Sequence, residues 1–164
     1  MIIRDVKDDG SLLIGKMHSA LFGCEIDVMI EDADMDYAEQ CAEYFNNMPS
    51  QLTDELKKYT LRYCEDFRQF FDEESQEVPQ GVTENEIFNY VSPHVLIIKE
   101  PSSSDKIAFG VEFGCKWEPE HGMEWTVNDG QVLYVGDFVD MSPWYDKNVY
   151  QRGMNYVFYE HCID

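Results

Sequence analysis

The sequence predicts an α+β fold: a mainly antiparallel sheet with an αα-hairpin packed on one face. Residues 24–30 place apolar side chains at every second position, as in a half-buried strand. Between Leu52 and Phe70, apolar residues recur instead at steps of three and four, which is the pattern of an amphipathic helix. Asn128-Asp129-Gly130, between two apolar segments, is a strong signal of a β-hairpin.

Local signals divide the chain further. Asp34 or Asp36 is placed to cap the first helix, and Met48-Pro49 separates it from the second. Thr83 and Glu86 fit a capping box at the start of a short helix. We therefore expect one α+β domain over residues 1–164, with strands at 1–30, a helical hairpin at 35–72, a short helix at 83–90, more sheet at 94–136 and an aromatic C-terminal extension at 141–164.

The structure of that extension is open between two interpretations. Asn155, Val157 and Tyr159 alternate with Tyr156 and Phe158, as in a final strand. An ordered segment wrapping the sheet would use the same aromatic residues. We favour the strand.

The chain is strongly acidic: 164 residues carry 12 Lys+Arg and 33 Asp+Glu, a net charge of −21. Both halves contribute, since residues 1–80 hold 7 basic and 19 acidic residues and residues 81–164 hold 5 and 14. This charge argues against nucleic-acid and anionic-membrane binding, which both need basic surfaces. It favours a partner with a basic surface, although a well-solvated surface alone would look the same.

Several features indicate a cytoplasmic protein. No segment approaches the roughly 20 apolar residues of a membrane span. The first residues lack the basic and apolar regions of a signal peptide. The five cysteines are widely spaced and show no C-x-x-C pair, so we expect reduced thiols rather than a disulfide framework or a zinc site.

One acidic cluster resembles the start of a calcium loop. Asp32, Asp34 and Asp36 stand at alternate positions, and Glu43 falls at the twelfth. Tyr37, however, occupies the position where such a loop requires glycine. We interpret these acids as residues at a helix N-terminus, where negative charge is favourable, and we assign no metal site.

The most distinctive hexapeptide is 117–122, Trp-Glu-Pro-Glu-His-Gly. A carboxylate beside an imidazole, such as Glu120 and His121, can perform acid–base catalysis or bind a metal. A proline followed by two polar residues and a glycine is also what a turn between two strands requires. We favour the turn, and we keep Trp117, Glu118, Glu120 and His121 as candidate partner-binding residues.

Aromatic residues provide the other candidate contacts. Trp125 alternates with Met123 and Val127 and is expected in the core. Trp144 and Tyr145 follow Pro143 in a predicted loop, where burial is less expected, and Trp and Tyr are frequent in interface hot spots. Both are candidate partner-binding residues.

No motif supports catalysis: the sequence has no G-x-S-x-G, no phosphate-binding glycine loop and no H-E-x-x-H. We assign no catalytic residue and no cofactor. Two alternatives stay open: a hydrolase or metal-dependent enzyme using Glu120 and His121, and a regulatory domain binding a small ligand on a flat sheet face formed by Ala108 and Gly110.

The residues of a family resemblance are the segments 37–41, 63–67 and 115–122, followed by Asp129-Gly130 and Val135-Gly136. Together they resemble a bacterial domain family of unknown function whose signature is W-[D/E]-P-E-H-G ahead of a D-G hairpin. The resemblance runs from about Asp36 to Asp137, with the N-terminal strands included, and leaves residues 141–164 outside. It implies a compact α+β domain without established catalysis. A looser likeness is to immunity proteins of bacterial toxin systems.

We therefore expect a non-catalytic protein-interaction module. Its partner would be a protein with a basic surface, for example a toxin that the acidic chain masks as an immunity protein. Charge complementarity would make such an association fast and sensitive to salt.

Overall fold

The computed structural model describes residues 1–69 and 77–159 and has an α+β fold. Seven strands form one sheet in which strand order follows chain order. The strands are β1 (Arg4–Asp8), β2 (Leu13–Ser19), β3 (Cys24–Glu31), β4 (Val91–Lys99), β5 (Ala108–Cys115), β6 (Met123–Asn128) and β7 (Gln131–Gly136). The helices are α1 (Met35–Asn46), α2 (Ser50–Arg68), a 3₁₀ helix (Ile87–Tyr90) and α3 (Lys147–Tyr150).

The sheet is antiparallel at every junction except that between β3 and β4. At this junction Asp27 pairs with Val95 and Glu31 with Lys99 in parallel register. Parallel neighbours need a crossover connection, and here α1, α2 and the 3₁₀ helix supply it. The mainly antiparallel sheet expected from the sequence is confirmed.

The N-terminal strands follow the hydrophobic pattern closely. In β3, Ile26, Val28 and Ile30 are buried, while Asp27 and Met29 between them are half-buried and Glu25 before them is exposed. The turn before β2 includes Gly10 at φ +87°, the left-handed region that glycine adopts without strain. Period-two patterning and turn chemistry therefore predict this region well.

The two long helices begin where the sequence places them. The Asp34 side chain accepts a hydrogen bond from the backbone N–H of Tyr37 (2.7 Å) and caps α1, as one of the two expected candidates. Pro49 precedes the first residue of α2. Leu52, Leu56 and Tyr63 of the apolar stripe are buried. Phe70 and the expected end of the helix near residue 72 lie outside the described residues.

The segment after the helices differs from the expectation. The Thr83 N–H donates to the Glu86 side chain, which is one half of a capping box, but the Thr83 hydroxyl also donates to Glu86 instead of accepting its backbone N–H. The helix is a single 3₁₀ turn, Ile87–Tyr90. β4 begins directly at Val91 and continues through Pro93, with an irregular register between Pro93 and Val95. A strand accepts proline at such an irregularity, so this part of the sheet begins at Val91 rather than at the expected residue 94.

The two faces of the sheet have different side chains at β5 and β6. Phe109 pairs with Val127 and Val111 with Trp125, and all four are fully buried. The alternate residues, among them Glu112 paired with Glu124, point to the opposite face. We call the face that carries Phe109, Val111, Trp125 and Val127 the core face, and the face that carries Glu112 and Glu124 the second face.

Residues 137–143, which we call the strap, cross the second face after β7. Their contacts with the sheet are polar: Glu124 accepts the N–H groups of Val139 and Met141, and Asn128 donates to the carbonyl of Pro143 (2.8 Å). Lys99 of β4 lies 3.0 Å from Asp140. The strap therefore covers the buried carboxylate of Glu124.

The described part of the segment after the strap, residues 144–159, does not form a final strand, contrary to our expectation. It contains α3 and then turns, and it contacts the outer edge of β7. The N–H of Tyr156 donates to Val135, while the Asn155 side chain accepts from Val135 and donates to Leu133. The side-chain amide of Asn155 thus forms hydrogen bonds with backbone groups at the edge of β7. A further strand would have paired with these groups through its own backbone. Residues 160–164 lie outside the described part of the chain.

No helix in the described ranges is long and apolar enough to cross a membrane.

Candidate functional site

Residues 117–122 form the turn that joins β5 to β6. The N–H of Gly122 donates to the carbonyl of Glu118 (3.1 Å). Gly122 has φ +72°, and a Cβ there would lie 2.3 Å from the carbonyl oxygen of Phe113. Only glycine satisfies both the left-handed conformation and this close approach, so the last residue of the hexapeptide has a structural requirement.

Trp117 connects the turn to α2. Its side chain is only 8% exposed and meets the ring of Tyr63 edge-on, with centroids 5.5 Å apart. The Tyr63 hydroxyl also donates to the carbonyl of Gly122 (3.4 Å). Among the described residues, the buried Nε1 of Trp117 has no hydrogen-bond acceptor. Trp117 is therefore a core residue of the turn and presents little surface to a partner.

Glu118 organises the polar side of the turn. Its Oε1 accepts the N–H groups of Glu120 (3.0 Å) and His121 (3.3 Å), and its Oε2 lies 2.8 Å from His121 Nδ1. Burial acts to raise the pKa of Glu118, but the hydrogen bonds from the His121 ring and from the two backbone N–H groups outweigh it and lower the pKa. The hydrogen bond to Glu118, and then its charge, raise the pKa of His121.

The carboxylate that meets the imidazole is thus that of Glu118, whereas Glu120 is exposed at the rim of the turn. The His121 side chain is 65% exposed. An ion pair this open to solvent stabilises the turn weakly. Its geometry allows His121 to exchange protons with solvent or with a docked molecule.

A cavity of about 390 Å³ lies beside the turn. The cationic side chains that line it already have partners within the chain. Arg68 donates hydrogen bonds to the carbonyls of Val78 (2.9 Å) and Pro79 (2.8 Å), and Lys116 Nζ lies 3.6 Å from Glu77 Oε2. The lining residues are Cys64, Phe67, Arg68, Glu77, Val78, Lys116, Trp117, Glu118, Pro119 and Glu120.

Trp144 and Tyr145 lie at the other end of β6. The preceding residue, Pro143, is bound by Asn128 at the end of that strand, whereas the 117–122 turn leads into its start. Six strand residues separate the two ends by about 17 Å. Tyr145 is 51% exposed, while Trp144 is half-buried, and its Nε1 has no acceptor in the described part of the chain. The candidate partner-binding residues therefore form two separate groups.

The three buried thiols in the described ranges have raised pKa values, which disfavour the reactive thiolate. Burial raises the pKa of Cys41 and of Cys64 to about 11, and that of Cys115 to about 12. Cys24, Cys41, Cys64 and Cys115 are all free. Within residues 1–69 and 77–159, no group of three or more His, Cys, Asp or Glu side chains could hold a metal ion.

The sequence did not point to two buried carboxylates. Glu124 is 1% exposed and Asp66 2% exposed. Strand alternation places Glu124 opposite Trp125, on a face expected to meet solvent, and no sequence signal announced the strap that covers it. Asp66 lies between Tyr63 and Phe67, two residues of the apolar stripe of α2. This position was the available sequence signal that Asp66 is buried.

The fold and this turn together define a small acidic α+β protein with a structured β5–β6 turn. The chain belongs to the family described as Domain of unknown function (DUF6985), whose model matches residues 3–142. No curated protein matches the chain, and neither does any solved structure. Residues 143–159, including Trp144 and Tyr145, therefore follow the part that the family shares.

Proposed function

We propose that the protein is a non-catalytic interaction module that masks a basic protein surface, in the manner of an immunity protein bound to its toxin. The observation that carries the proposal is the distribution of charge over the folded chain. The partner is expected to present Lys and Arg side chains. Association would be accelerated by opposite charge and weakened by salt.

The cations of the sheet support this proposal because three of its four Lys and Arg residues are already paired with acidic side chains. Arg4 contacts Glu25, Lys16 lies 3.3 Å from Asp27, and Lys99 contacts both Glu31 and Asp140. Many acidic side chains remain exposed around them. Exposed acids on β1, the helices and the loops include Asp8, Asp9, Asp32, Asp36, Glu43, Asp54, Glu84, Glu100, Asp129 and Asp146.

The architecture of the 117–122 turn is consistent with a role other than catalysis. Glu118 is occupied by two backbone N–H groups and by His121, and Trp117 is buried against Tyr63. The exposed side chains left for a partner at this turn are Glu120 and His121. At the other end of β6, Tyr145 offers a large exposed aromatic ring.

We also infer that α1 and α2 act as an αα-hairpin on the core face. Phe45 of α1 meets the ring of Phe109, with centroids 5.7 Å apart. Thr60 of α2 accepts a hydrogen bond from Trp125 Nε1 (3.0 Å). Phe109 and Trp125 belong to the same face of adjacent strands. This arrangement supports an outer helical surface bearing exposed acids such as Asp36 and Asp54.

The first test is affinity capture with the purified chain from a lysate of its source organism. Capture at about 0.05 M salt and again at about 0.5 M salt separates electrostatic partners from others, because screening shortens to a few ångströms at high salt. We expect basic proteins that bind at low salt and are lost at high salt. An empty capture, or a partner whose on-rate and affinity do not change with salt, would refute the proposal.

A matched bait isolates the contribution of charge. Asp36→Asn, Glu43→Gln, Asp54→Asn and Glu84→Gln combined remove four exposed negative charges while preserving side-chain size. We expect this variant to capture less of the same partner at low salt. Its stability should fall by no more than about 1 kcal/mol, the contribution of an acidic side chain such as Asp36 in the first turn of a helix. His121→Ala, Tyr145→Ala and Trp144→Ala then show which end of β6 the partner contacts. Trp144→Ala is compared only after its thermal denaturation has been measured.

A catalytic or small-ligand function is the second candidate, and the cavity beside the turn motivates it. Hydrolysis through Glu120 and His121 would require the imidazole to act on a molecule held in or near that cavity. The test is metal analysis of the purified protein, combined with a hydrolase substrate panel. A bound ion, or an activity lost in both Glu120→Gln and His121→Ala, would favour this alternative over the interaction module.

A further inference from the structure

Glu124 is a buried carboxylate whose hydrogen-bond partners come mainly from the strap. Its Oε2 accepts the N–H of Val139 (2.9 Å), and its Oε1 accepts the N–H of Met141 (2.6 Å). The Thr126 hydroxyl, 3.4 Å away, adds a weaker contact within β6. Glu124 itself is 1% exposed. A charged group in this position stays dry only while the strap covers it.

The groups around Glu124 do not compensate its charge. Glu112 lies directly opposite on β5, and the strap contributes Asp140. On β7, Tyr134 donates its hydroxyl hydrogen to Asp137. Lys99, at the end of β4, is paired with other acids: its Nζ lies 3.0 Å from Asp140 Oδ1 and 3.7 Å from Glu31 Oε2. Among the described residues, no Lys, Arg or His forms an ion pair with Glu124.

The strap itself is held mainly by polar contacts. Its residues have no regular secondary structure, and Asp137, Val139 and Asp140 are exposed. Besides those of Glu124, its polar contacts with the sheet include those of Asn128 with Pro143, of Lys99 with Asp140, and of the Tyr134 hydroxyl with the carbonyl of Asp137 (2.6 Å). The Tyr150 hydroxyl adds a hydrogen bond to the carbonyl of Ser142 (2.5 Å) from the following segment. A local opening therefore exchanges a few hydrogen bonds for hydrated groups and returns the Glu124 carboxyl to water.

We propose that Glu124 and the strap form a pH-dependent latch, fastened while the Glu124 carboxyl is protonated and loosened when the carboxyl ionises. This device goes beyond the proposed partner binding and does not depend on it. Glu124 and all of the strap except Pro143 lie within residues 3–142, the part of the chain that the family shares.

The direction follows from the coupling between protonation and opening. Burial raises the pKa of Glu124 to about 7, and the N–H groups of Val139 and Met141 offset only part of this rise. With the strap open, the carboxyl is hydrated and its pKa returns to about 4.5. The closed state therefore binds the proton more tightly. Protonation of Glu124 therefore stabilises the closed state relative to the open state. This stabilisation is complete below about pH 4.5 and is lost progressively as the pH rises through about 7.

The experiment is amide hydrogen exchange measured by NMR at Val139 and Met141 between pH 6 and pH 8. Exchange rates are converted to protection factors, so that the intrinsic dependence of exchange on pH is removed. We expect the protection of both amides to fall about tenfold over this range, as the two pKa values require. The Tyr37 amide is the internal control, because it donates to Asp34, a carboxylate on an exposed residue, and its protection should not follow this curve.

Glu124→Gln is the matched variant, because it keeps the shape and cannot ionise. Its Val139 and Met141 protection should be independent of pH. Asp140→Asn provides a second variant that removes a neighbouring negative charge, and its transition should move to lower pH. The latch is refuted if protection in the original chain stays constant or increases with pH, or if Glu124→Gln retains the wild-type pH dependence.

Discussion

The hydroxyl of Tyr156 donates a 2.5 Å hydrogen bond to the buried carboxylate of Asp66, joining the C-terminal segment to α2. Tyr156 is 4% exposed, and its ring stacks on that of Tyr63 with centroids 4.8 Å apart. Arg62 adds a hydrogen bond to the carbonyl of Tyr156 (3.2 Å). Tyr156, which lies beyond the family match, is thus part of the hydrophobic core, and it packs on the same Tyr63 ring that Trp117 contacts.

Tyr156→Phe removes this hydroxyl and keeps the ring. We expect it to lower the free energy of unfolding by about 1–3 kcal/mol, because a buried carboxylate loses a hydrogen-bond donor. Urea denaturation followed by tryptophan fluorescence measures the change. Tyr145→Phe is the control, since Tyr145 is exposed, and it should change stability by no more than about 0.5 kcal/mol. Equal effects of the two substitutions would contradict the structural role of the Asp66–Tyr156 bond.

Gly122→Ala tests the turn between β5 and β6. The new Cβ would meet the Phe113 carbonyl at 2.3 Å in a left-handed conformation, so we expect a loss of about 3 kcal/mol or more. Gly23→Ala carries only the conformational cost, because Gly23 has φ +66° but nothing within 4 Å of its Cβ position. It should lose about 1 kcal/mol. Thermal denaturation of the pair separates steric clash from backbone strain, and similar losses would show that the turn relaxes.

Thr60→Val tests the contact of α2 with the sheet. The substitution leaves the buried Nε1–H of Trp125 without its acceptor, and we expect a loss of about 1–3 kcal/mol. The indole N–H resonance of Trp125 should shift in the same variant. Thr53→Val on the same helix removes only a hydroxyl bonded to the carbonyl of Pro49, and it should cost less than about 1 kcal/mol. An unshifted Trp125 resonance would mean that this hydrogen bond does not form.

The pair Glu118–His121 predicts a pH dependence at the turn. The hydrogen bond to Glu118 raises the pKa of His121, so this pair stabilises the fold fully below the ordinary histidine pKa of about 6.5. The contribution disappears as pH rises through the raised value. An NMR titration of the His121 ring should therefore give a pKa that falls in Glu118→Gln. Glu120→Gln, which removes a weaker electrostatic effect, should lower it less, and the reverse order would contradict the observed pairing.

The regular elements were predictable because their patterns are local. Alternation defines β3, period and capping define α1, and Asn128-Asp129-Gly130 joins β6 to β7, with Asp129 and Gly130 both at positive φ. The segment 83–90 was expected to be one short helix, but only Ile87–Tyr90 is helical, as a 3₁₀ turn, and residues 84–86 form a turn. The expected end at residue 90 is where the helix stops, because the pairing of β4 with β5 begins at Val91.

The candidate site was predictable only in part. The hexapeptide is a turn, as its composition indicated, but the partner of His121 is three residues away rather than adjacent. The environment of Glu124 depends on the strap, and the contacts of Asn155 depend on the position of β7. Such long-range contacts leave no periodic trace in the sequence.

The single parallel junction in the sheet has a consequence for how the chain folds. The hairpins β1–β2, β2–β3, β4–β5, β5–β6 and β6–β7 each close between strands adjacent in sequence. Pairing Asp27 with Val95 instead requires that the intervening helical region be enclosed as one large loop. Closing large loops is entropically costly and slow. Two separately formed meanders, β1–β3 and β4–β7, should therefore meet late, and a shorter connection would accelerate assembly.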